Sequence, residues 1–260
     1  MNIQKYLEKI KKYQIFIVLG VFVFLVAFFL GVNFRNLQAV SGESKKYPIY
    51  SVDTNEKKIA ITFDTNWGTN NTKKVLDILD KYDAKATFFL MGTWIDKHEN
   101  ETKEIFNRGH EIGNHSNSHP DFTLISRTRI IEEIAATDAK LMNLLGKGTE
   151  VFRFPSGAYN EKVLEIAEST NHYCIQWNVD SIDWKEQGAD IEYNRVMKKV
   201  KPGSILLFHD NAKYTPETLP RILSNLKAKG YQFVKVSDLI YKKGYYMDNS
   251  GTQKLKKNSY

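Results

Sequence analysis

The period of the hydrophobic positions changes repeatedly along the chain, from short apolar or alternating runs to the three- and four-residue spacing of a helix face. The short runs predict strands at 58–64, 86–91, 111–113, 151–154, 173–179, 204–208 and 232–236. Helical spacing falls between them, at 70–82, 94–108, 126–145, 160–169, 190–199 and 216–229. Strands that alternate with helices indicate right-handed βαβ units around a parallel sheet. The pattern therefore predicts an α/β fold, a distorted (β/α)7-type barrel.

An apolar segment near the start of the chain does not fit this alternation. Every residue from 15 to 32 is apolar or glycine, and a helix of that length nearly spans a hydrocarbon core of ~30 Å. Lysines precede the segment and no comparable segment follows it, so the positive-inside rule puts the N-terminus in the cytoplasm. We therefore predict a single-pass protein of the cell membrane, with the remaining residues outside. The alternative is a secretory signal peptide, whose cleavage would release the chain.

The composition divides the chain into four parts. We predict a basic cytoplasmic segment and transmembrane anchor at 1–33, a polar stalk at 34–56 and an α/β domain at 57–241. Residues 242–260 are rich in asparagine, serine, glycine and lysine and have no core-forming pattern. They predict a flexible basic tail.

The net charge of +7 changes this picture little, because part of the excess lies in lysines near the two ends of the chain. No basic stripe with interleaved stacking aromatics is present, which argues against nucleic-acid binding. Cys174 is the single cysteine, so the chain can form neither an internal disulfide nor a cysteine-based zinc cluster. Its apolar neighbours predict a small core residue.

Polar residues with useful chemistry stand where the predicted strands end. In a parallel barrel the carboxyl ends of the strands share one rim, where functional groups collect. The residues at these ends are Asp64, His115, His119, Arg153, Asp180, Asp183 and His209. Each alone has an ordinary explanation, as a helix cap, a structural histidine or half of a salt bridge. Together they predict a metal and acid/base site on one rim.

The spacing of two histidines predicts where a metal would bind. His115 and His119 are four residues apart, and on a helical turn that spacing puts both imidazoles on one face, where they can hold a divalent ion. The alternative is a pair of surface histidines in a loop rich in serine and asparagine.

Five ordered motifs resemble those of a known family. They are Thr62-Phe63-Asp64, His115-Ser116-Asn117-Ser118-His119, Arg153-Phe154-Pro155-Ser156-Gly157, Asp180-Ser181-Ile182-Asp183-Trp184 and Leu207-Phe208-His209. Over residues 57–241 the chain resembles the NodB-homology polysaccharide deacetylases, carbohydrate esterase family 4. The run Asp64-Thr65-Asn66-Trp67-Gly68 is similar to that of the PdaB-like sporulation proteins within this family. The resemblance implies a NodB-homology barrel that removes acetyl groups from an N-acetylated cell-wall polysaccharide such as peptidoglycan.

The resemblance also implies roles for single residues. Asp64 would be the general base, oriented by Arg153, and His209 the general acid, with its pKa raised by Asp183. The metal, zinc with cobalt or manganese as alternatives, would be held by His115 and His119. The pocket that binds the substrate and the oxyanion would be formed by Ser156, Trp184, Leu207 and Trp67. No protein partner is implied.

One position departs from the family pattern. Family members commonly have a second aspartate after the base, which completes the metal site, and here Thr65 and then Asn66 follow Asp64. Loss of an anionic ligand weakens metal binding. The sequence therefore leaves open a deacetylase with weakened or altered metal coordination, or an inactive glycan-binding or wall-assembly protein on the same scaffold. A glycosidase using Asp180 and Asp183 is a third hypothesis, disfavoured because carboxylates in one loop do not flank a glycosidic bond.

Overall fold

The structure, a computed structural model, describes residues 46–256, together with Tyr13, Val21, Phe22, 24–26 and Phe28. The strands are β1 (Ser51–Val52), β2 (Lys58–Thr65), β3 (Ala86–Leu90), β4 (Glu111–Asn114), β5 (Val151–Phe152), β6 (Tyr173–Cys174), β7 (Val179–Asp180), β8 (Ile205–His209), β9 (Gln232–Phe233), β10 (Tyr245–Met247) and β11 (Thr252–Leu255). The α-helices are α1 (Thr72–Lys81), α2 (Gly92–Ile95), α3 (Glu99–Asn107), α4 (Arg127–Leu145), α5 (Glu161–Glu168), α6 (Ala189–Lys199), α7 (Thr215–Ala228) and α8 (Val236–Leu239). Turns of 3₁₀ helix lie at Phe122–Leu124, Pro155–Gly157 and Asp183–Lys185.

The main sheet is parallel and curled. Its strand order is β6-β5-β4-β3-β2-β8-β7, and β9 pairs with the start of β2. The edge strands β6 and β7 are joined by residues 175–178 alone. An extended chain covers at most ~3.5 Å per residue, so this short link holds the two edges near each other. The predicted α/β fold with a parallel sheet is confirmed, as a curled half-barrel in which the edge strands do not pair.

Alternation along the central strands decides which side chains face the barrel interior. On β2, Ile59, Ile61 and Phe63 pack in the apolar cluster that includes helices α1 and α7. Successive residues of a strand point to opposite faces, so Thr62 and Asp64 point into the barrel. Ala60 packs there with interior residues of β3, β5 and β8. The last inward position of β2 is therefore the polar Asp64, at the carboxyl rim.

The structure divides a segment that was predicted to be one strand. Residues 173–179 form β6 at one edge of the sheet and β7 at the other. Between them, Gln176 donates its N–H to the carbonyl of Ile49 at 2.7 Å and accepts a hydrogen bond from Arg153 at 3.2 Å. Asn178 donates its N–H to Ile205 on the far side of the gap at 3.2 Å. A continuous apolar run indicates burial but not the strand with which each residue pairs.

Two predicted domain boundaries differ from the structure. β1 pairs with β11, and β11 pairs with β10, in a second small sheet. The buried Gln253 exchanges two hydrogen bonds of 2.9 Å with the backbone of Tyr241. The prediction of a flexible tail is wrong for residues 245–255, and part of the predicted stalk belongs to the fold. Backbone pairing and a buried amide hold these residues, and neither produces a hydrophobic pattern.

The predicted localisation at the cell membrane needs correction. Among the helices that the structure describes, none combines the length and apolar character that a bilayer crossing requires. Most of the apolar run 15–32, and with it the predicted anchor or signal peptide, lies outside the described residues.

We expect Gly203→Ala to destabilise the fold, since a β-carbon there would lie only 1.8 Å from the carbonyl oxygen of Val52. Gly146→Ala is a matched control because both glycines have a left-handed backbone, with φ of 77° and 70°, and Gly146 has open space around it. Both variants should lose ~1–2 kcal/mol of stability, because alanine is strained in the left-handed conformation. Gly203→Ala should lose a further ~1–3 kcal/mol through overpacking. Urea denaturation measures both losses, and equal losses would contradict the contact with β1.

Candidate functional site

Four strand ends bring polar side chains to one rim of the half-barrel. Asp64 is the penultimate residue of β2, His209 ends the neighbouring β8, and the two are register partners. His115 directly follows β4 and donates its N–H to Leu90 on β3 at 3.1 Å. Arg153 directly follows β5 and donates its N–H to Asn114 on β4 at 2.9 Å. Because all these strands are parallel, their carboxyl ends lie at one edge of the sheet.

The guanidinium of Arg153 is completely buried inside the barrel. It donates to Asp64 Oδ1 at 2.7 Å and to Thr62 Oγ1 at 2.8 Å. It also stacks on the ring of Phe89, 4.0 Å from the centroid. Burial by itself raises the pKa of Asp64, but the charge of Arg153 outweighs it, with help from His115, and lowers that pKa below its usual value. Asp64 is therefore an oriented carboxylate that stays ionised.

The imidazole of His115 is held in one tautomer. Its Nδ1 lies 3.0 Å from the carbonyl oxygen of Arg153, which can only accept, so Nδ1 carries the proton. Its Nε2 then presents a lone pair; this atom is buried, without a hydrogen-bond partner, 3.6 Å from Asp64 Oδ2. Burial lowers the pKa of His115 to about 4. A neutral imidazole with a backbone-bonded Nδ1 and a free Nε2 is the usual state of a metal ligand.

A loop brings His119 to His115, and the predicted helical turn is absent. Ser116 and His119 both have a left-handed backbone, with φ of 65° and 61°. The ring centroids of the two histidines are 5.0 Å apart. Glu133, on the buried face of α4, accepts the N–H groups of Asn117 and Ser118 at 2.9 and 2.7 Å. The carboxylate thus fixes the loop that carries both imidazoles.

Asp183 and His209 form a second pair beside the first. Asp183 is fully buried, and its Oδ1 lies 2.8 Å from His209 Nδ1. Its Oδ2 accepts the N–H of His209 at 2.6 Å and the hydroxyl of Thr215 at 3.0 Å. Burial by itself lowers the pKa of His209, but the hydrogen bond and charge of Asp183 outweigh it and raise that pKa above its ordinary value. His209 is therefore suited to carry a proton at neutral pH.

These groups surround a cavity of about 290 Å³. Its lining consists of Asp64, Asn66, Trp67, His119, Ser156, Trp184, Glu186, His209, Asn211 and Ala212. Trp67 and Trp184 leave 61% and 58% of their surface exposed, so two aromatic faces are open to solvent beside the polar groups. Larger cavities of about 490 and 680 Å³ lie elsewhere and contain none of the predicted site residues.

Five of the predicted site residues do not line this cavity. The buried His115, Arg153 and Asp183 contact residues that do, through Asp64 and His209, whereas Leu207 and Thr65 lie apart from it. Leu207 is 3% exposed and lies on the strand two residues before His209, below the rim. Thr65 is completely buried, and strand alternation puts it on the face of Phe63, toward the helices. The hydroxyl of Thr65 interacts with the buried carboxylate of Asp210.

Four residues around the site were not identified from the sequence: Glu133, Glu186, Asn211 and Ala212. Glu133 shares the buried face of α4 with Ile130, Ile134 and Leu141. A charged residue in the middle of an apolar helix stripe is a signal that could have identified it. Glu186 and Asn211 line the cavity but follow the ends of motifs, and no periodic pattern marks them.

The donor set at the rim fits a divalent metal through its imidazoles. His115 supplies a buried, unpartnered nitrogen, and His119 stands beside it. Within residues 46–256 and the few described before them, no group of three or more histidine, cysteine or acidic side chains forms a metal-binding cluster. A third protein ligand must therefore be of another type, or be Asp64.

The half-barrel and its rim of carboxylate, guanidinium and imidazole groups are typical of a hydrolase. The polysaccharide deacetylase family profile matches residues 51–175. The chain is 32% identical to the peptidoglycan-N-acetylmuramic acid deacetylase PdaA of Bacillus subtilis, over 75% of each chain. It is 35% identical to a peptidoglycan-N-acetylglucosamine deacetylase of Bacillus cereus, over 73% of this chain and 70% of the relative.

A solved structure is similar as well. It is a carbohydrate esterase family 4 pseudoenzyme from Bacillus anthracis, with a TM-score of 0.72 and 34% identity over 76% of this chain and 70% of that one. A mutant of that protein is described as having restored enzymatic activity. The chain belongs to the NodB-homology polysaccharide deacetylases, carbohydrate esterase family 4, a family of hydrolases.

We expect Arg153→Met to lower the free energy of unfolding by ~3–5 kcal/mol, because it leaves Asp64 buried and unpaired. The double variant Asp64→Asn/Arg153→Met should recover part of this loss, since the uncompensated charge is gone. Arg221→Met is the control, because Arg221 pairs with Asp190 on the surface, and it should change stability by less than about 1 kcal/mol. Denaturant unfolding of the four proteins tests this, and a double variant no more stable than Arg153→Met would contradict it.

We also expect Asp183→Asn to lower the pKa of His209. The neutral amide cannot stabilise an imidazolium, while burial continues to disfavour the charged ring. The pKa should then fall from above the ordinary histidine value to below it, so the ring would be neutral at pH 7. An NMR titration of the histidine ring protons measures this shift, and an unchanged pKa would show that Asp183 does not hold the charge.

Proposed function

We propose that the chain is an N-deacetylase that hydrolyses the acetamido groups of amino sugars in a peptidoglycan-type polysaccharide. The observation that carries the proposal is the pairing, at one cavity, of a carboxylate kept ionised by Arg153 with an imidazole whose pKa is raised by Asp183. Opposite shifts of two neighbouring groups are the pattern of a general base and a general acid. Both groups lie at the rim where an acetamide can enter.

In this proposal Asp64 accepts a proton from water, whose oxygen adds to the acetamide carbonyl carbon. Arg153 keeps the carboxylate pointed at the cavity. His209 then donates its proton to the nitrogen as the carbon–nitrogen bond breaks, and the products are acetate and a free amino sugar. The register pairing of Asp64 with His209 supports this arrangement, because it brings the base and the acid to neighbouring positions on one rim, where both line the cavity.

A metal has a place in this chemistry. His115 and His119 would hold a divalent ion, which we propose to be zinc, with cobalt or manganese as substitutes. When bound, it supplies a Lewis acid that polarises the acetamide carbonyl. The free Nε2 of His115 supports this assignment.

The remaining cavity residues fit recognition of a sugar. Ser156 lies in the turn Pro155–Gly157, with φ of 54°, and its backbone N–H is the candidate donor to the oxyanion. The exposed rings of Trp67 and Trp184 provide faces on which a sugar ring can stack. Leu207 lies below the lining, so the apolar contact for the acetyl methyl is assigned to Trp184 alone.

The polymer is inferred from the relatives. One is named for N-acetylmuramic acid and another for N-acetylglucosamine, both in peptidoglycan. These names support a cell-wall substrate. The resemblance to PdaB-like proteins supports a role in spore or cell-wall formation.

A second candidate function is glycan binding without turnover. Thr65 stands where family members commonly have an aspartate, and the Bacillus anthracis neighbour is described as a pseudoenzyme. The same cavity would then hold an N-acetylated glycan during wall assembly.

We expect the full-length protein to release acetate from peptidoglycan after metal removal and addition of zinc, cobalt or manganese. Asp64→Asn should lower the rate ~10²–10⁴-fold, as loss of a general base does. Asp190→Asn is the matched control, because that aspartate is 81% exposed on the surface, and it should leave the rate unchanged. His115→Ala should remove the response to metal.

The result that would refute this function is a folded protein that binds peptidoglycan but releases no acetate with any of the three metals. That outcome would support the binding function instead. Equal rates of acetate release from Asp64→Asn and the wild type would contradict the role of Asp64 as the general base.

A further inference from the structure

We propose that Asn66 is a metal ligand in this chain and replaces the carboxylate that its family commonly places directly after the base. The inference rests on the proposed metal-assisted function, since it concerns the ion held by His115 and His119. It identifies a third protein ligand, since among the described residues no third histidine, cysteine or acidic side chain joins the two histidines in a metal-binding cluster.

The position of the Asn66 side chain points to this role. Asn66 is 7% exposed and lines the cavity together with Asp64 and His119. One end of its carboxamide lies 3.5 Å from His119 Nε2. The other end is buried and has no hydrogen-bond partner. The two orientations of a carboxamide differ by exchange of its oxygen and nitrogen, so the oxygen can occupy the end that faces His119.

The spacing agrees with ligands of a common ion. Two donors that each lie ~2.1 Å from a tetrahedral zinc ion are separated by ~3.4 Å. The distance from the Asn66 carboxamide to His119 Nε2 is 3.5 Å. This distance is too long for a strong hydrogen bond, although Asn66 is buried. An ion held by the two histidines and Asn66 would satisfy both the unpartnered Nε2 of His115 and the Asn66 carboxamide.

Thr65 does not compete for this role. It is the last residue of β2, and its side chain follows Phe63 toward the helix layer. Asn66 is the first residue after the strand, so its side chain is free of the strand alternation. The ligand has therefore moved by one residue along the chain, to the position that reaches His119.

A neutral amide ligand has a chemical consequence for the base. A carboxylate that serves as ligand cannot also accept a proton freely. With Asn66 as the third donor, Asp64 remains bonded to Arg153 and available to water. The lost negative charge would weaken the binding of a divalent ion relative to an aspartate at the same place.

The test measures zinc affinity by competition with a chromophoric chelator, on the full-length protein at fixed pH. Asn66→Ala should weaken zinc binding ~10–100-fold, because loss of a residue that only supports a metal ligand already weakens binding by that factor. Asn66→Asp should tighten it at least ~10-fold, because it supplies an anionic oxygen at the same place. Thr65→Ala is the control and should bind zinc as the wild type does.

Two results would overturn the inference. One is an Asn66→Ala protein with wild-type zinc affinity, and the other is a wild-type protein that binds no zinc. Asn66→Asp guards against misfolding, because tighter binding cannot come from a damaged fold. The visible absorption of cobalt-loaded protein gives a second measure, and its bands should shift in Asn66→Asp but not in Thr65→Ala. Acetate release is measured separately, so the ligand assignment and the proposed hydrolysis can fail independently.

Discussion

One buried charge organises the centre of this protein. The guanidinium of Arg153 lies inside the half-barrel, where a charge is tolerated only if it is paired and hydrogen-bonded. Its partners come from three places: the side chains of β2, the ring of Phe89 on β3 and the carbonyl of Gln176 in the crossing segment. The same contacts that satisfy the cation also orient Asp64 and fix the path by which the chain crosses the gap. Stability and the geometry of the site therefore depend on the same atoms.

The sequence predicts the central strands well because they alternate or form apolar runs, and their carboxyl ends identify Asp64, His115, Arg153 and His209. The sequence does not predict the features that depend on contacts between residues far apart along the chain. The crossing at Gln176 exists because Arg153 and Ile49 bind its backbone, and neither contact leaves a local pattern. The two short strands within 245–255 show no regular apolar alternation and are held through backbone pairing. The two histidines converge through a loop fixed by Glu133, although their spacing suggested a helical turn.

Within its family the chain combines retained and altered parts. The paired residues Asp64 with Arg153 and His209 with Asp183 are present, as are the two neighbouring histidines, whereas the residue after Asp64 differs. A pseudoenzyme and proteins named as peptidoglycan deacetylases are about equally similar to it, at 34% and 32–35% identity. Overall similarity therefore does not separate turnover from binding on this scaffold. Beside the imidazoles, the Asn66 carboxamide lies 3.5 Å from His119 Nε2, whereas Thr65 faces the helix layer.

The crossing segment 175–178 joins the two edge strands of the sheet, and the protection of these edges affects whether molecules of the protein associate with one another. The edge strand of an open sheet presents unpaired N–H and C=O groups that can template aggregation. Here the backbone of Ile49 covers β6, by bonding to Cys174 and Gln176, and Arg195 binds the carbonyl of Asp180 on β7 at 2.9 Å. Both margins are thus capped by the chain itself, at distant sequence positions. A half-barrel protected in this way resists edge-to-edge association without needing complete closure.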